Sequence, residues 1–373
     1  MDSFEKLVLR IAFSGYNNIN LGTARHFRAL GIDEESFFRK EASLLSAVSG
    51  LRSSYFDDNR RHDALERARR EANFVLNNNI GTHYFTDDDS YPTRLNDCDD
   101  APAMLYSLGT AGRQVAHTVA IVGTRHCTAY GAEFTRRLVV ELGEALDSLA
   151  IVSGLAYGID IAAHRAALGA GVATGAVVAH GLNTLYPAEH RDDAQRMIRE
   201  GGFLMTEYTS QAVIHRGNFL SRNRIVAALA DVTIVVESDI KGGAMTTARM
   251  AGAYNREVMA LPGRVTDTYS RGCNELIARN EASVVRSAQD VIDLMGWAAR
   301  PVEEKQGTLP LLSPEQTQVC DFLKAKPDST VNDLCAGLSM PYARLSSMLF
   351  EMEMDNIVCS LPGGRYCLIN PDV

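Results

Sequence analysis

Between residues 117 and 286 the chain carries seven short apolar runs, TVAIVG, AIVSG, TGAVVAHG, FLMTE, VTIVVE, EVMAL and SVVR, separated by segments with helical spacing of apolar residues. A strand that alternates apolar and polar side chains can leave one face in water, whereas one that is apolar at nearly every position must be covered on both. Helices between such strands are the crossovers that a parallel sheet needs. The fold class is therefore α/β, a Rossmann-like, mostly parallel sheet. Residues 81–116, broken by Tyr-Pro and Ala-Pro in YPTRLNDCDDAPAMLYSLG, are expected to add an edge strand and loops.

The flanks read differently. Residues 1–80 show helical spacing in LVLRIAF, TARHFRALG, SFFRKEASLLSAVSG and DALERARREANFVLNN, with no alternating strands, so a small all-α domain of SAM or helix-hairpin-helix type is expected. It reads either as a cap on the next domain or as a DNA binder around LGTARHF. The segment NNIN where a glycine-rich hairpin would sit, and the acids at 33–35, favour the cap. Residues 81–297 form the sheet domain, 298–312 a polar, proline-bounded linker, and 313–373 a winged helix of three helices and two strands around PGG. On its third helix Leu345, Met348, Leu349 and Met352 are expected core. Glu351, Glu353 and Asp355 beside Arg344 disfavour phosphate, so this domain reads as protein-contacting or weakly DNA-binding.

A net charge of −9 rules against coating nucleic acid with the whole surface, because phosphate binding needs clustered Lys and Arg, and any such site must be local. Seven cysteines at 98, 127, 273, 320, 335, 359 and 367 contain no CxxC pair, which reads as reduced thiols without a metal site. No run of eighteen apolar residues offers a membrane span. The N-terminus, MDSFEKLVLRIAFSG, is acidic where an export signal is basic, so a cytoplasmic protein is expected.

Four loops carry the chemistry. VAIVG-TRHCTAYG ends a strand at Gly123 and enters a helix, with Arg125 offering a cationic fork where helix N–H groups attract anions. Its spacing is neither GxGxxG nor GxxxxGK[ST], which gives no support to a dinucleotide cofactor or a Walker loop. SGLAYGID places Ser153, Gly154 and Gly158 at a second strand end, building one floor with the first. HRGNFLSRNRIVAALA brings Arg216, Phe219, Arg222 and Arg224 together, an aromatic among cations, as a single strand of nucleic acid requires. Arg222 or Arg224 also suits a structural role, since they open the helix that runs on as IVAALA. KGGAMTTA supplies Lys241, Gly242, Gly243 and Thr246 for a phosphate, and PGR…GCNELI is expected to pack beside the site.

These segments together resemble the DprA/Smf family over roughly 81–297, with the helical front and the C-terminal winged helix in that family's order. The resemblance implies single-stranded DNA held in a basic pocket, a homodimer, and loading of the RecA recombinase in natural transformation, without a cofactor. It places Arg125, Arg216, Phe219 and Lys241 in the pocket with the SGLAYGID glycines beneath. The chain departs from the family's pattern at Leu220, where Pro is common, at KGGA in place of an SGS triplet, and at 280–282, where NEA replaces GA. These changes bear on loop shape and leave the basic and aromatic residues in place.

The alternative is a nucleotide-processing enzyme of the lysine-decarboxylase-like phosphoribohydrolase type, which uses the same scaffold. Such hydrolases carry PGGxGTxxE, whose carboxylate sits one helical turn past the glycines. Here that turn offers Ala248, Arg249 and Met250 and no acid. Glu207 and Glu237 end strands without a partner readable in the sequence, and His126, His164, His180 and His215 are dispersed. No catalytic residue is assigned.

Overall fold

The computed structural model describes residues 2–87, 90–111, 115–300, 312–355, 357–361 and 363–369, and divides into two compact units, Met1–Pro301 and Val302–Val373. The linker expected at 298–312 lies, from 301 to 311, outside the described residues.

The first unit begins with five helices, α1 (Ser3–Gly15), α2 (Leu21–Ala29), α3 (Glu34–Arg39), α4 (Ala42–Ser49) and α5 (Asp58–Asn77). Side-chain oxygens of Asn20, Asp33 and Asp57 accept backbone N–H groups at the starts of α2, α3 and α5. The amides of Leu21 and Gly22, which a hairpin DNA binder would turn toward phosphate, instead donate to the carbonyls of Ala101 and Asp99, both at 2.7 Å. Glu34 accepts from Arg28 at 2.9 Å and from the Tyr84 hydroxyl, so one of the acids at 33–35 fastens the helices to the sheet. Phe13, Phe27, Phe37 and Phe56 pack with Tyr84, Met104 and Tyr106 in one buried cluster.

The sheet follows: β1 (Gly81–Tyr84), β2 (Met104–Gly109), β3 (His117–Val122), α6 (Ala129–Ala145), β4 (Leu149–Ser153), α7 (Ile159–Gly169), β5 (Ala173–Val177), α8 (Arg191–Arg199), β6 (Phe203–Thr206), α9 (Arg216–Leu229), β7 (Val232–Val235), α10 (Gly243–Ala253), β8 (Glu257–Ala260), α11 (Arg271–Ala278), β9 (Ser283–Val284) and α12 (Ala288–Met295). The strand order is β1-β2-β6-β5-β4-β3-β7-β8-β9, with β3 to β9 parallel. All seven apolar runs are strands. Ala120, Val122, Val152 and Val235 face a core with α9 and α10, while Val119, Ile121, Ile151 and Ile234 face one with α6 and α7, so both sides are covered. The segment 81–116 yields two strands where one was expected. Both β1–β2 and β2–β6 are antiparallel; β1 and β2 are consecutive, so the chain doubles back without a crossover helix, and β2 then borders the parallel strands through β6.

The second unit runs α13 (Pro314–Ala325), β10 (Ser329–Thr330), α14 (Val331–Leu338), α15 (Tyr342–Met354), β11 (Val358–Leu361) and β12 (Arg365–Leu368), with a sheet ordered β10-β12-β11. Reciprocal side-chain caps at Ser313/Gln316 and Thr330/Asp333 start α13 and α14. Leu345, Met348, Leu349 and Met352 of α15 are buried, and Arg344 is paired with Glu315 at 2.6 Å.

Candidate nucleic-acid interface

The strand order reverses at β3, from which the chain first builds outward through β4 and later, on the other side, through β7. Outside the carboxyl ends of the strands at such a point, adjacent loops diverge and leave a crevice. The loops after β3, β4 and β7 and the start of α9 are the four segments singled out above.

The first loop is pinned from below by Glu237, at the end of β7. Its carbonyl accepts from Thr124 N at 2.7 Å, and its carboxylate takes Thr128 N at 2.8 Å together with the Thr128 hydroxyl. Gly123 leaves β3 against Ile159. Arg125 is exposed beyond this bracket.

The second loop is built from its buried polar groups. Ser153 Oγ donates to Ile121 O at 2.6 Å and is fully buried. Gly154 is held at both backbone groups: its N–H donates to Asp160 at 3.2 Å, and its carbonyl accepts from Arg222 Nη1 at 2.6 Å. Arg222 also donates to Val177 O and is 4% exposed. Burial pushes the Asp160 carboxyl up, opposed by the Arg222 charge and the amides of Ala156 and Gly154, while burial lowers Arg222. Gly158 has φ +75°, and a Cβ there would lie 2.1 Å from Thr124 O, so only glycine lets the two loops meet.

Phe219 stands on the first turn of α9, half-buried, with the Arg125 guanidinium 5.6 Å from its ring centroid. Tyr186 meets it edge-on, centroids 5.7 Å apart at 68°. Tyr186 is 46% exposed, and its backbone N–H donates to Nε2 of buried His180 at 3.1 Å, whose Nδ1 faces Gly181 O at 2.9 Å. That pairing requires a neutral ring, and burial lowers the His180 pKa accordingly. Tyr157, 39% exposed, sits beside Gly158 and packs edge-on against His190. Arg216 is exposed at the start of α9, where His215 caps Gly217 N at 3.1 Å. Lys241 is exposed at the turn closed by Gly242 N to Asp239 O at 2.8 Å. Gly242 and Gly243 lead into α10, with Thr246 half-buried and Gly243 facing Asn223 of α9.

The sequence-assigned residues thus divide. Arg125, Arg216, Lys241 and Gly243 are exposed and Phe219 half-buried on the loops at that end of the sheet, where Arg125 and Phe219 meet. Arg271 pairs with Asp239 and Arg224 with Glu207, whereas Arg125, Arg216 and Lys241 take part in no ion pair among the described residues. Ser153 and Arg222 do not reach the surface, because backbone carbonyls already occupy their polar atoms. Arg224 turns to Glu207 at 2.6 Å and lines a separate cavity of about 350 Å³ with residues of α1 and α5 and with Glu207, Tyr208 and Thr209. Tyr157 and Tyr186 were missed. Tyr157 lies within the quoted SGLAYGID and could have been found by asking which aromatic flanks a glycine; Tyr186, in a long connection, gave no signal. The PGR…GCNELI segment packs beside the crevice through Ser238 N to Tyr269 O and Gly272 N to Ser238 O.

Glu237 and Glu207, the two strand-end acids, are engaged with Thr128 and Arg224. Among the described residues no cluster of three or more His, Cys, Asp and Glu is gathered as for a metal ion, and no helix is long and apolar enough to cross a membrane.

Comparison with known proteins shows the family and the fold. Residues 82–296 match the family described as DNA recombination-mediator protein A, and residues 303–364 match the DprA winged helix domain. Protein Smf of Synechocystis is 35% identical over 318 residues, covering 75% of this chain and 78% of that relative. The crystal structure of DNA processing protein A from Streptococcus pneumoniae superposes with a TM-score of 0.64 at 28% identity, over 79% of this chain and 98% of that one. A Helicobacter pylori DNA processing protein A, described for its single-stranded DNA binding mode, gives 0.51 at 32% identity over 58% of this chain and 95% of that one. The family match over 82–296, more than half of the chain, together with the matched winged helix and the 35% identical Smf relative, places the chain in the DNA recombination-mediator protein A family, the DprA/Smf proteins.

Proposed function

We propose that the crevice holds single-stranded DNA without cutting it, and that the chain protects incoming strands and loads the RecA recombinase in natural transformation and recombination, acting as a homodimer. The observation that carries the DNA reading is the contiguous set Arg125, Phe219 and Tyr186 beside the Gly158 turn, with Arg216 and Lys241 exposed on the neighbouring loops and in no ion pair among the described residues. Cations take the phosphates, and a base stacks on Phe219 while the guanidinium moves from the ring toward the backbone. Tyr186 and Tyr157 offer the next rings along the strand. Recombinase loading and the homodimer rest on the family resemblance. The Helicobacter pylori relative, described as binding single-stranded DNA, supports the choice of ligand. Of the two strand-end acids that a hydrolase reading would call on, Glu237 is bonded to Thr128 and Glu207 to Arg224.

Fluorescence anisotropy with a labelled oligonucleotide, single-stranded and then duplex, across a salt series tests this. Binding should favour the single strand and weaken with salt. Phe219→Ala should cost about 1–3 kcal/mol, the range for one stacked base, with Tyr186→Ala weakening binding as well. Arg125→Ala should lower the salt slope by about 1. No binding at low salt would sink the proposal.

A further inference from the structure

Spacing along the sequence gave no reason to pair any two cysteines, yet the fold brings two of them together. Cys359 on β11 and Cys367 on β12 are directly opposed in the antiparallel register, with Sγ atoms 3.1 Å apart. Val358, one position earlier and paired with Leu368, is buried in the core of the second unit, and Tyr366 packs against that core. Strand alternation therefore puts Cys359 and Cys367 on the outer face of the hairpin, where both are half-buried. No other two cysteines approach one another among the described residues. Cys98, Cys273 and Cys320 are buried separately.

We infer that Cys359 and Cys367 form a dithiol–disulfide site on the wing, closed by a low-molecular-weight disulfide such as oxidised glutathione. Directly opposed residues of an antiparallel pair hold their Cα atoms about 4.5–5.5 Å apart, inside the roughly 4.4–6.8 Å that a disulfide spans. The sulfurs need to close by about 1 Å to reach a bond of about 2.05 Å, which side-chain rotation supplies without moving the strands. One protein thiolate attacks a sulfur of the oxidant, forming a mixed disulfide and expelling one small thiolate. The second protein thiolate then displaces the other, so two protein thiols are oxidised, one small disulfide is reduced to two thiols, and two protons leave the protein.

The neighbouring Cys359 thiol pushes Cys367 up to about 11, so the reaction quickens as pH rises. In a reducing compartment the site rests open and closes when the thiol pool is oxidised. Closure staples the strands at either side of the turn between Leu361 and Arg365, whose Gly363 and Gly364 take positive φ. The bond would hold that exposed turn in one register and alter what the winged helix can contact.

The full chain, first reduced, is incubated with oxidised glutathione, alkylated, and examined by intact mass and peptide mapping. The expected product is lighter by about 2 Da before alkylation, lacks two alkylatable thiols, and yields a peptide cross-linked through 359 and 367 that dithiothreitol releases. Cys359→Ser and Cys367→Ser should each abolish that loss while Cys335→Ser keeps it, and the rate should be roughly 50- to 100-fold higher at pH 9 than at pH 7, following the thiolate fraction. Stable glutathione adducts without the internal bond would overturn the inference. So would full alkylation of all seven thiols under the same oxidant.

Discussion

Arg222→Met separates a residue that builds the floor from one that touches DNA. In the native protein the guanidinium donates to the carbonyls of Gly154 and Val177 from a position 4% exposed, and its charge offsets that of buried Asp160. Hydrogen bonds to a charged group contribute about 1.5–3 kcal/mol each, and removing one partner of a buried charge network costs about 3–5 kcal/mol. These are not additive, so the expected loss is about 3–5 kcal/mol, roughly a thousandfold in the folding equilibrium. The single tryptophan, Trp297, packs against His117 with ring centroids 4.5 Å apart, so its fluorescence in urea follows the first unit and not the second.

The pH dependence adds a second readout. Burial already raises Asp160, and without Arg222 its folded-state pKa rises further above the unfolded value. A carboxyl raised in this way weakens the fold at high pH, and the penalty is relieved as pH falls through the folded pKa, by at most about 1.4 kcal/mol per unit. The deficit of Arg222→Met relative to the native chain should therefore shrink on acidification, and Asp160→Asn in the same chain should restore part of it at neutral pH. A transition shifted by less than about 1 kcal/mol, with single-strand binding lost, would make Arg222 a DNA contact and refute the argument.

Two other substitutions test the framework. Gly158→Ala combines φ +75° with a Cβ placed 2.1 Å from Thr124 O, so it should lower the Trp297 transition by about 1–3 kcal/mol or more and weaken DNA binding by moving Arg125. His164 is buried with Nδ1 against the Thr174 hydroxyl at 2.7 Å and is pushed down to about 3 by that burial. A base depressed below its unfolded value of about 6.5 keeps its full stability above that pH and loses it as pH falls, by up to about 1.4 kcal/mol per unit. His164→Asn should flatten the acid limb of the stability profile between pH 6.5 and 4, and an unchanged limb would exclude His164 as its source.

The parallel sheet was legible because burial on both faces leaves no polar alternation in TVAIVG or VTIVVE. The antiparallel pair β1–β2 was half-read, since proline breaks conceal where a chain doubles back. Within the candidate site, exposed cations and the ring of Phe219 could be named from composition, but the direction each arginine takes could not. Arg222 and Arg224 stand two residues apart on α9, one reaching back under Gly154 and the other across to Glu207, and only the positions of those acceptors decide it. Cys359 and Cys367 are likewise joined by register, which a hairpin sets through its turn rather than through any motif.

The bracket that Glu237 makes under the first loop has an entropic consequence. Ordering a free loop costs about 1–2 kcal/mol for every residue fixed. Here the stretch from Gly123 to Thr128 is already tied at Thr124 and Thr128 before any anion arrives. Whatever enters the crevice meets the Arg125 guanidinium on a loop that is already ordered, and keeps as affinity what a looser loop would spend on becoming ordered.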